Sequence, residues 1–389
     1  RRGIEVEFRP GLSPAELRAI IGPFDGLAVR SATKVTRELM QAAPNLKVVG
    51  RAGIGVDNVD VTTATARGVV VMNTPYGNAI TTAEHAIAMM FALARQLPEA
   101  SASTKAGKWE KNRFMGVELF GKTLGLIGCG NIGSIVADRA VGLKMKVVAF
   151  DPFLSERRAV ELGVEKVELN ELLERADIIT LHTPLTEQTR NIISRDNIAR
   201  MKRGARLINC ARGGLVDEAA LHDALKSGHL AGAALDVFET EPATDSPLFA
   251  LENVVCTPHL GAATAEAQEN VALQIAAQMA DYLLTGAVAN AINMPSVTAE
   301  EAPRLRPYME LARLLGSLAG QLTAGQSDAI RAIRVEYEGH AAELNRRPLT
   351  AAALAGVLTP LMGAVNMVNA PVVAKERGIE VAETVHERR

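Results

Sequence analysis

The sequence predicts an α/β protein with two doubly wound parallel sheets and, near its end, a smaller α+β piece. Three observations predict this. From residue 25 onward, short Val/Ile/Leu-rich runs alternate with helical patterns. Most of those runs are continuously apolar, as strands covered by helices on both faces must be. Past about residue 296 the pattern changes to Ala/Leu-rich helix interrupted by one charged, strand-like stretch.

The strands are expected, in order, at "GLAVR", "LKVVGRA", "GVVVMN", "TLGLIG", "KVVAFD", "DIITLHT", "RLINCA", "GAALDVF" and "NVVCTP". Between them, "ELLERA", "RDNIARMK" and "EAALHDALKSG" carry helical periodicity, which implies right-handed crossovers between parallel strands. "AEHAIAMMFALARQLPEA" reads as one long helix, apolar nearly all round, and so buried between domains or subunits. "AIRVEYEG" is the strand-like stretch of the C-terminal piece.

At 389 residues the chain is long enough for two or three cores. Its formal net charge of −2 provides no global attraction for nucleic acid or an acidic membrane surface. No apolar run is long enough to span a bilayer, and no signal peptide is read. Cys129, Cys210 and Cys256 are odd in number and far apart. Cys210 and Cys256 lie in apolar runs and are expected to be small core residues in a reducing compartment, not disulfides or metal ligands. The expected location is the cytoplasm.

Gly128, Gly130 and Gly133 stand in G-x-G-x-x-G spacing after one strand and at the opening of a helix, and a second strand then ends at Asp151. In that context the glycines permit a tight turn and let a diphosphate approach the helix N-terminus. Asp151 falls where a carboxylate accepts from the adenosine ribose hydroxyls, so NAD is expected as cofactor. In doubly wound sheets the ligand lies beyond the carboxyl ends of the strands. Of seven histidines, only His182 and His259 closely follow such an end. His85 falls on the long helix, His222 and His229 in or just after another, and His340 and His386 outside the sheet. Arg212, in "LINCARGGLVDEAAL", and Glu241, after "GAALDVF", also pass this filter.

A permanently charged guanidinium at the mouth of a buried strand needs an anionic partner, either a nearby carboxylate or a ligand. Hydride transfer from an alcohol uses this set of groups. A histidine takes the hydroxyl proton, a carboxylate fixes its tautomer, and an arginine forks onto a substrate carboxylate. Arg212 is therefore read as binding a 2-hydroxy or 2-oxo acid.

"GRAGIGVDNVD", "GLIGCGNIG", "NCARGGLVDEAAL", "ALDVFETEP" and "TPHLGAATAEAQ" resemble motifs of the D-isomer-specific 2-hydroxyacid dehydrogenases, from about residue 25 to 293. The resemblance implies Arg212, Glu241 and His259 as the catalytic trio. Besides the three glycines, it places Ile54, Asn131, Ile132, Asp151, His182, Thr183, Pro184, Cys210, Ala211, Asp236, Gly261 and Ala262 at the dinucleotide, with Arg212 and His259 bordering both cofactor and substrate. It makes His182 part of the cofactor wall, and it lines the substrate pocket with Arg30, Arg51 and Asn78.

The implied organisation is a discontinuous substrate domain (1–73 and 264–292) around an inserted NAD-binding Rossmann domain (74–263). Residues 296–389 then form an intervening or regulatory domain, since "VNAPVVAKERGIEV" is similar to that domain in the phosphoglycerate-oxidising branch. The implied reaction is NAD-dependent oxidation of 3-phospho-D-glycerate, the first step of phosphorylated serine biosynthesis, by a homodimer or homotetramer. Lys111 or Arg113 is expected to reach a partner subunit's site. The family pattern also has a strand before "GLSPAELRAI" and a serine-binding ACT domain beyond the intervening one, and neither is read in this sequence. Two rivals remain: a hydroxypyruvate or glyoxylate reductase, which would need neither the pair Arg30 and Arg51 nor the C-terminal domain, and an NAD(H)-sensing corepressor-like binding protein, which can keep the Arg212, Glu241 and His259 set.

Overall fold

The computed structural model describes residues 2–298, 300–323, 330–363 and 365–386. It divides into two compact units, one made of residues 1–77 with 269–389 and the other of residues 78–268.

In the first unit, residues 2–12 run without helix or strand. Ser13 and Glu16 then form a reciprocal capping box that starts the helix Pro14–Ile20. Strands β1 (Gly26–Val29), β2 (Val48–Arg51) and β3 (Val70–Met72) make a parallel sheet in chain order. Both faces are covered, which is why the strands read as unbroken apolar runs. Val49 and Val71 pack with Leu39, Met40 and Ala64 on one side. Val48, Val70 and Met72 pack with Ile275, Met279 and Val288 on the other. A Cβ on Gly50 would sit 2.3 Å from Met279 Sδ, so this glycine lets the helix Ala265–Thr285 lie against β2.

The second unit holds a seven-stranded parallel sheet of β4 (Thr123–Ile127), β5 (Lys146–Phe150), β6 (Glu165–Lys166), β7 (Ile178–Leu181), β8 (Arg206–Asn209), β9 (Gly232–Leu235) and β10 (Val254–Cys256). Their order is β10-β9-β8-β7-β4-β5-β6, so the winding reverses between β4 and β7. Helices Ala79–Arg95 and Asn131–Gly142 cover one face. Helices Leu169–Arg175, Arg195–Arg200 and Glu218–Lys226 cover the other.

Two expectations are corrected in this unit. The long helix read across residues 83–100 is two helices, Ala79–Arg95 and Leu97–Lys105, joined at Gln96 with φ 52°. Pro98 has no N–H and its ring would clash with the carbonyl four residues back, so it starts a new helix in place of continuing the old one. Cys256 is exposed, not a core residue, because it ends the edge strand β10, which has a neighbour on one side only.

The C-terminal stretch belongs to the first unit. Strands β11 (Ala332–Glu338) and β12 (Glu380–His386) form a parallel pair in register from Ala332↔Glu380 to Glu338↔His386. Helices Ala302–Leu322 and Arg346–Met362 pack closely through glycines, for a Cβ on Gly316 would come 2.2 Å from Ala353 O and one on Gly356 2.2 Å from Arg313 O. Val368 enters the cluster that holds Val48, Val70 and Met72, and Asn366 Nδ2 donates to Gly68 O at 2.9 Å. These contacts tie the C-terminal stretch to the β1–β3 sheet.

Candidate active site

The end of β4 makes a cradle. Gly128 has φ 90°, and a Cβ there would lie 2.6 Å from His182 O, so the first glycine loop runs hard against the end of β7. A Cβ on Gly133 would stand 2.1 Å from Gly128 O, which makes that glycine the condition for the helix to start so close to its strand. Gly130 faces open space, with nothing within 4 Å of its Cβ position. It caps the helix Asn131–Gly142 without any side-chain cap bond. A twelve-residue helix whose N-cap is a glycine, opening on a space that a side chain would fill, fits a diphosphate. At the end of β5, Asp151 accepts from Cys129 N (2.7 Å) and Phe153 N (2.8 Å), using two of roughly four acceptor positions of a carboxylate and leaving capacity for hydroxyls. Burial, aided by the Asp151 charge, pushes the Cys129 thiol up to about 11, so it is not a nucleophile at neutral pH.

The ends of β7 to β10 hold the other candidates. Partly buried His182 pairs through Nε2 with Thr180 Oγ1 at 2.9 Å, and desolvation pushes its pKa down to about 3. Pro184 O accepts from Thr189 Oγ1 at 2.6 Å, closing the turn after Thr183. At the end of β8, buried Asn209 donates from Nδ2 to Arg212 O (2.9 Å) and accepts from Ala211 N (3.1 Å), pinning the turn Cys210–Ala211–Arg212. Arg212 Nη1 donates to Ala211 O at 2.6 Å. Gly213 follows because a Cβ there would stand 1.8 Å from Phe238 O, in the loop after β9. That loop carries Glu241, whose Oε1 accepts from Phe238 N (3.1 Å) and whose Oε2 lies 2.7 Å from His259 Nδ1.

His259 sits in the turn after β10 with φ 57°, a left-handed backbone that a residue with a Cβ seldom adopts. Asp236 holds this turn. Its carbonyl accepts from His259 N at 2.9 Å. Its fully buried carboxylate accepts from Thr257 Oγ1 (2.6 Å), Leu260 N (2.7 Å) and Gly261 N (2.8 Å), and it lies 3.2 Å from His85 Nε2. Burial pushes Asp236 up, but the hydrogen bonds from His85, Thr257 and Leu260 more than offset it and keep the carboxyl below its ordinary value. Ala262 follows, where Ala263 N closes back onto Leu260 O at 2.8 Å.

The structure thus joins Glu241 to His259 directly and sets Arg212 on an adjacent strand end. Asn78 caps the helix Ala79–Arg95 in the same unit, its carbonyl accepting from Thr82 and its Oδ1 buried without a partner among the described residues. The other unit carries Arg30 just after β1, Arg51 at the end of β2, and Ile54, whose carbonyl accepts from Asn73 Nδ2 at 2.6 Å. Gly53, with φ 141°, leaves room for the Arg51 guanidinium, since a Cβ there would fall 1.3 Å from Nη1. His85 is the residue that sequence reasoning passed over, because a rule about strand ends discards a histidine on a helix.

Residues 87–261 match the NAD-binding domain of the D-isomer specific 2-hydroxyacid dehydrogenases, and residues 304–389 match the D-3-phosphoglycerate dehydrogenase intervening domain. The D-3-phosphoglycerate dehydrogenase of a Synechocystis species is 49% identical over 382 residues, covering 98% of this chain and 68% of its own. That of Bacillus subtilis is 49% identical over 363 residues, 93% of this chain and 69% of its own. Among solved structures, a D-lactate dehydrogenase from Aquifex aeolicus, complexed with NAD and lactic acid, superposes with TM-score 0.65 at 30% identity, covering 72% of this chain and 90% of that one. The chain belongs to the D-isomer specific 2-hydroxyacid dehydrogenase family, within its D-3-phosphoglycerate dehydrogenase branch. It is an NAD-dependent oxidoreductase, and the cradle at Gly128–Gly133 with Asp151 lies within the matched NAD-binding domain.

Proposed function

We propose that the chain oxidises the C2 hydroxyl of 3-phospho-D-glycerate to the ketone of 3-phosphohydroxypyruvate, as the first step of a serine-forming sequence. The bound nicotinamide supplies a hydride acceptor. His259 takes the hydroxyl proton on Nε2 while the C2–H bond releases its electron pair as hydride and the C=O bond forms. Glu241 holds Nδ1–H and stabilises the imidazolium, and Arg212 forks onto the substrate carboxylate. Arg30, Arg51 and Asn78 are assigned to the substrate and its phosphate. The observation that carries this reading is the 2.7 Å contact between His259 Nδ1 and Glu241 Oε2, which commits one ring nitrogen and leaves the other for a proton. Exposed Phe91, Leu97, Trp109, Met115 and Phe120, all in one unit, support a homodimer or homotetramer. Among the described residues no helix is long and apolar enough to cross a membrane, and three free cysteines support a reducing compartment such as the cytoplasm.

The test is NADH formation from 3-phosphoglycerate, glycerate, lactate and 2-hydroxyglutarate, repeated with Arg51→Ala. The phosphorylated substrate is expected to have the highest kcat/KM. The variant is expected to lose about ten- to a hundredfold on it, the value of roughly 1.5–3 kcal/mol for a charge-assisted contact, and much less on glycerate. Equal losses on both substrates, or preference for an unphosphorylated acid in the parent, would return the phosphate assignment to the reductase reading.

A further inference from the structure

His85 has no role in the chemistry described above, yet its side chain is only 18% exposed and it reaches the most heavily used carboxylate at the strand ends. Its Nε2 lies 3.2 Å from Asp236 Oδ1 and 3.2 Å from Thr257 Oγ1. Thr257 gives its hydroxyl proton to Asp236, and a carboxylate only accepts. The proton between His85 and these two oxygens must therefore sit on Nε2, shared between them. We propose that His85 is a positioning residue for the reaction, fixing the Asp236 carboxylate that in turn fixes the turn carrying His259. The inference rests on the reading of His259 as the base.

Each link is short and within one unit. His85 stands on the seventeen-residue helix Ala79–Arg95, with Ala83, Ala86, Met89 and Met90 buried in the core, so it offers Asp236 a rigid anchor. Asp236 Oδ1 then receives Leu260 N and Oδ2 receives Gly261 N, while its carbonyl receives His259 N. The left-handed backbone of His259 is bracketed by these three bonds, and such a conformation persists only where its surroundings over-determine it. Gly261 admits the carboxylate, since a Cβ there would already stand 3.3 Å from Oδ2. Glu241 orients the imidazole from its side-chain end, and the His85–Asp236 pair sets the backbone beneath it.

The experiment compares His85→Leu, His85→Asn and His85→Gln in the whole chain, reading kcat at saturating substrate and NAD, KM for 3-phosphoglycerate, and Tm. A glutamine amide nitrogen reaches the place of Nε2, an asparagine nitrogen only that of Nδ1, and leucine neither. Expected is a kcat loss of about ten- to a hundredfold in the Leu and Asn variants, the effect of a base displaced by about an ångström, with KM nearly unchanged. The Gln variant should recover to within about threefold of the parent. Equal losses in Leu and Gln, a loss confined to KM, or a lowered Tm with undiminished kcat would each overturn the proposal. His259→Asn is measured alongside. If that variant stays active, the base assignment fails; if it is inactive while His85→Leu turns over normally, only the positioning role fails.

Discussion

At the carboxyl end of β7 the chain runs Leu181–His182–Thr183, and at the end of β10 it runs Thr257–Pro258–His259. Both strands are parallel members of one sheet, and both histidines come just past the last paired residues. Their surroundings differ. His182 faces the hydroxyl of fully buried Thr180, its Nδ1 is buried without a partner among the described residues, and desolvation suppresses its charged form. His259 keeps a side chain 48% exposed and has the Glu241 carboxylate 2.7 Å from its Nδ1. Position in the fold brings a histidine to the reaction edge. The partner decides whether it can carry a proton there.

The sharpest way to break this contrast is to make the same substitution at both ends. His259→Asn removes the proposed proton acceptor and is expected to cost about 10²–10⁴-fold in kcat, with NADH binding, followed by its fluorescence, close to the parent's. His182→Asn removes a neutral wall residue and should keep kcat within about tenfold. If the His182 variant were the inactive one, the two roles would be reversed.

A narrower change tests the partner. Glu241→Gln keeps the size of the side chain and a hydrogen-bonding oxygen for Nδ1–H, but loses the charge that meets the imidazolium. A hydrogen bond to a charged group is worth about 1.5–3 kcal/mol, so kcat should fall roughly ten- to a hundredfold, while KM changes little because the charge appears only as hydride leaves. A loss expressed in KM with kcat intact would make Glu241 a ground-state binding residue, and the contrast between the two strand ends would need another cause.

The same contrast explains what could be read without coordinates. All nine expected strands are present, because helices cover both faces of each sheet and leave an unbroken apolar signature in the sequence. The tenth strand of those two sheets, β6, is the dipeptide Glu165–Lys166 at the sheet edge, and two charged residues carry no such signature. The break at Gln96 was lost because apolar periodicity ran on through Pro98, and the exposure of Cys256 because an edge strand reads like a central one. Arg212, Glu241, His259 and His182 were legible from a rule about strand ends. The different environments of the two histidines were not, since Thr180 and Glu241 are partners by geometry. The link from His85 to Asp236 was further out of reach, for it joins a helix to a strand end remote in sequence.

The smallest expected effect concerns stability and needs no turnover. The pKa of His182 is about 3 in the folded chain against an ordinary 6.5, so between those values an unfolded chain binds a proton that the folded chain refuses. Stability then rises with pH across that window, and it is lost as pH falls through 6.5 toward 3. Asparagine does not titrate, so His182→Asn deletes this dependence whatever it does to packing. Thermal melts of the parent and the variant from about pH 7.5 to about pH 5 should show the parent losing more Tm, so that its lead over the variant shrinks or its deficit grows as the solution is acidified. The residue as a whole is partly exposed, which keeps the change modest, on the order of a few degrees. Curves that stay parallel would mean that His182 protonates in place. The hydroxyl-facing strand end would then tolerate a charge.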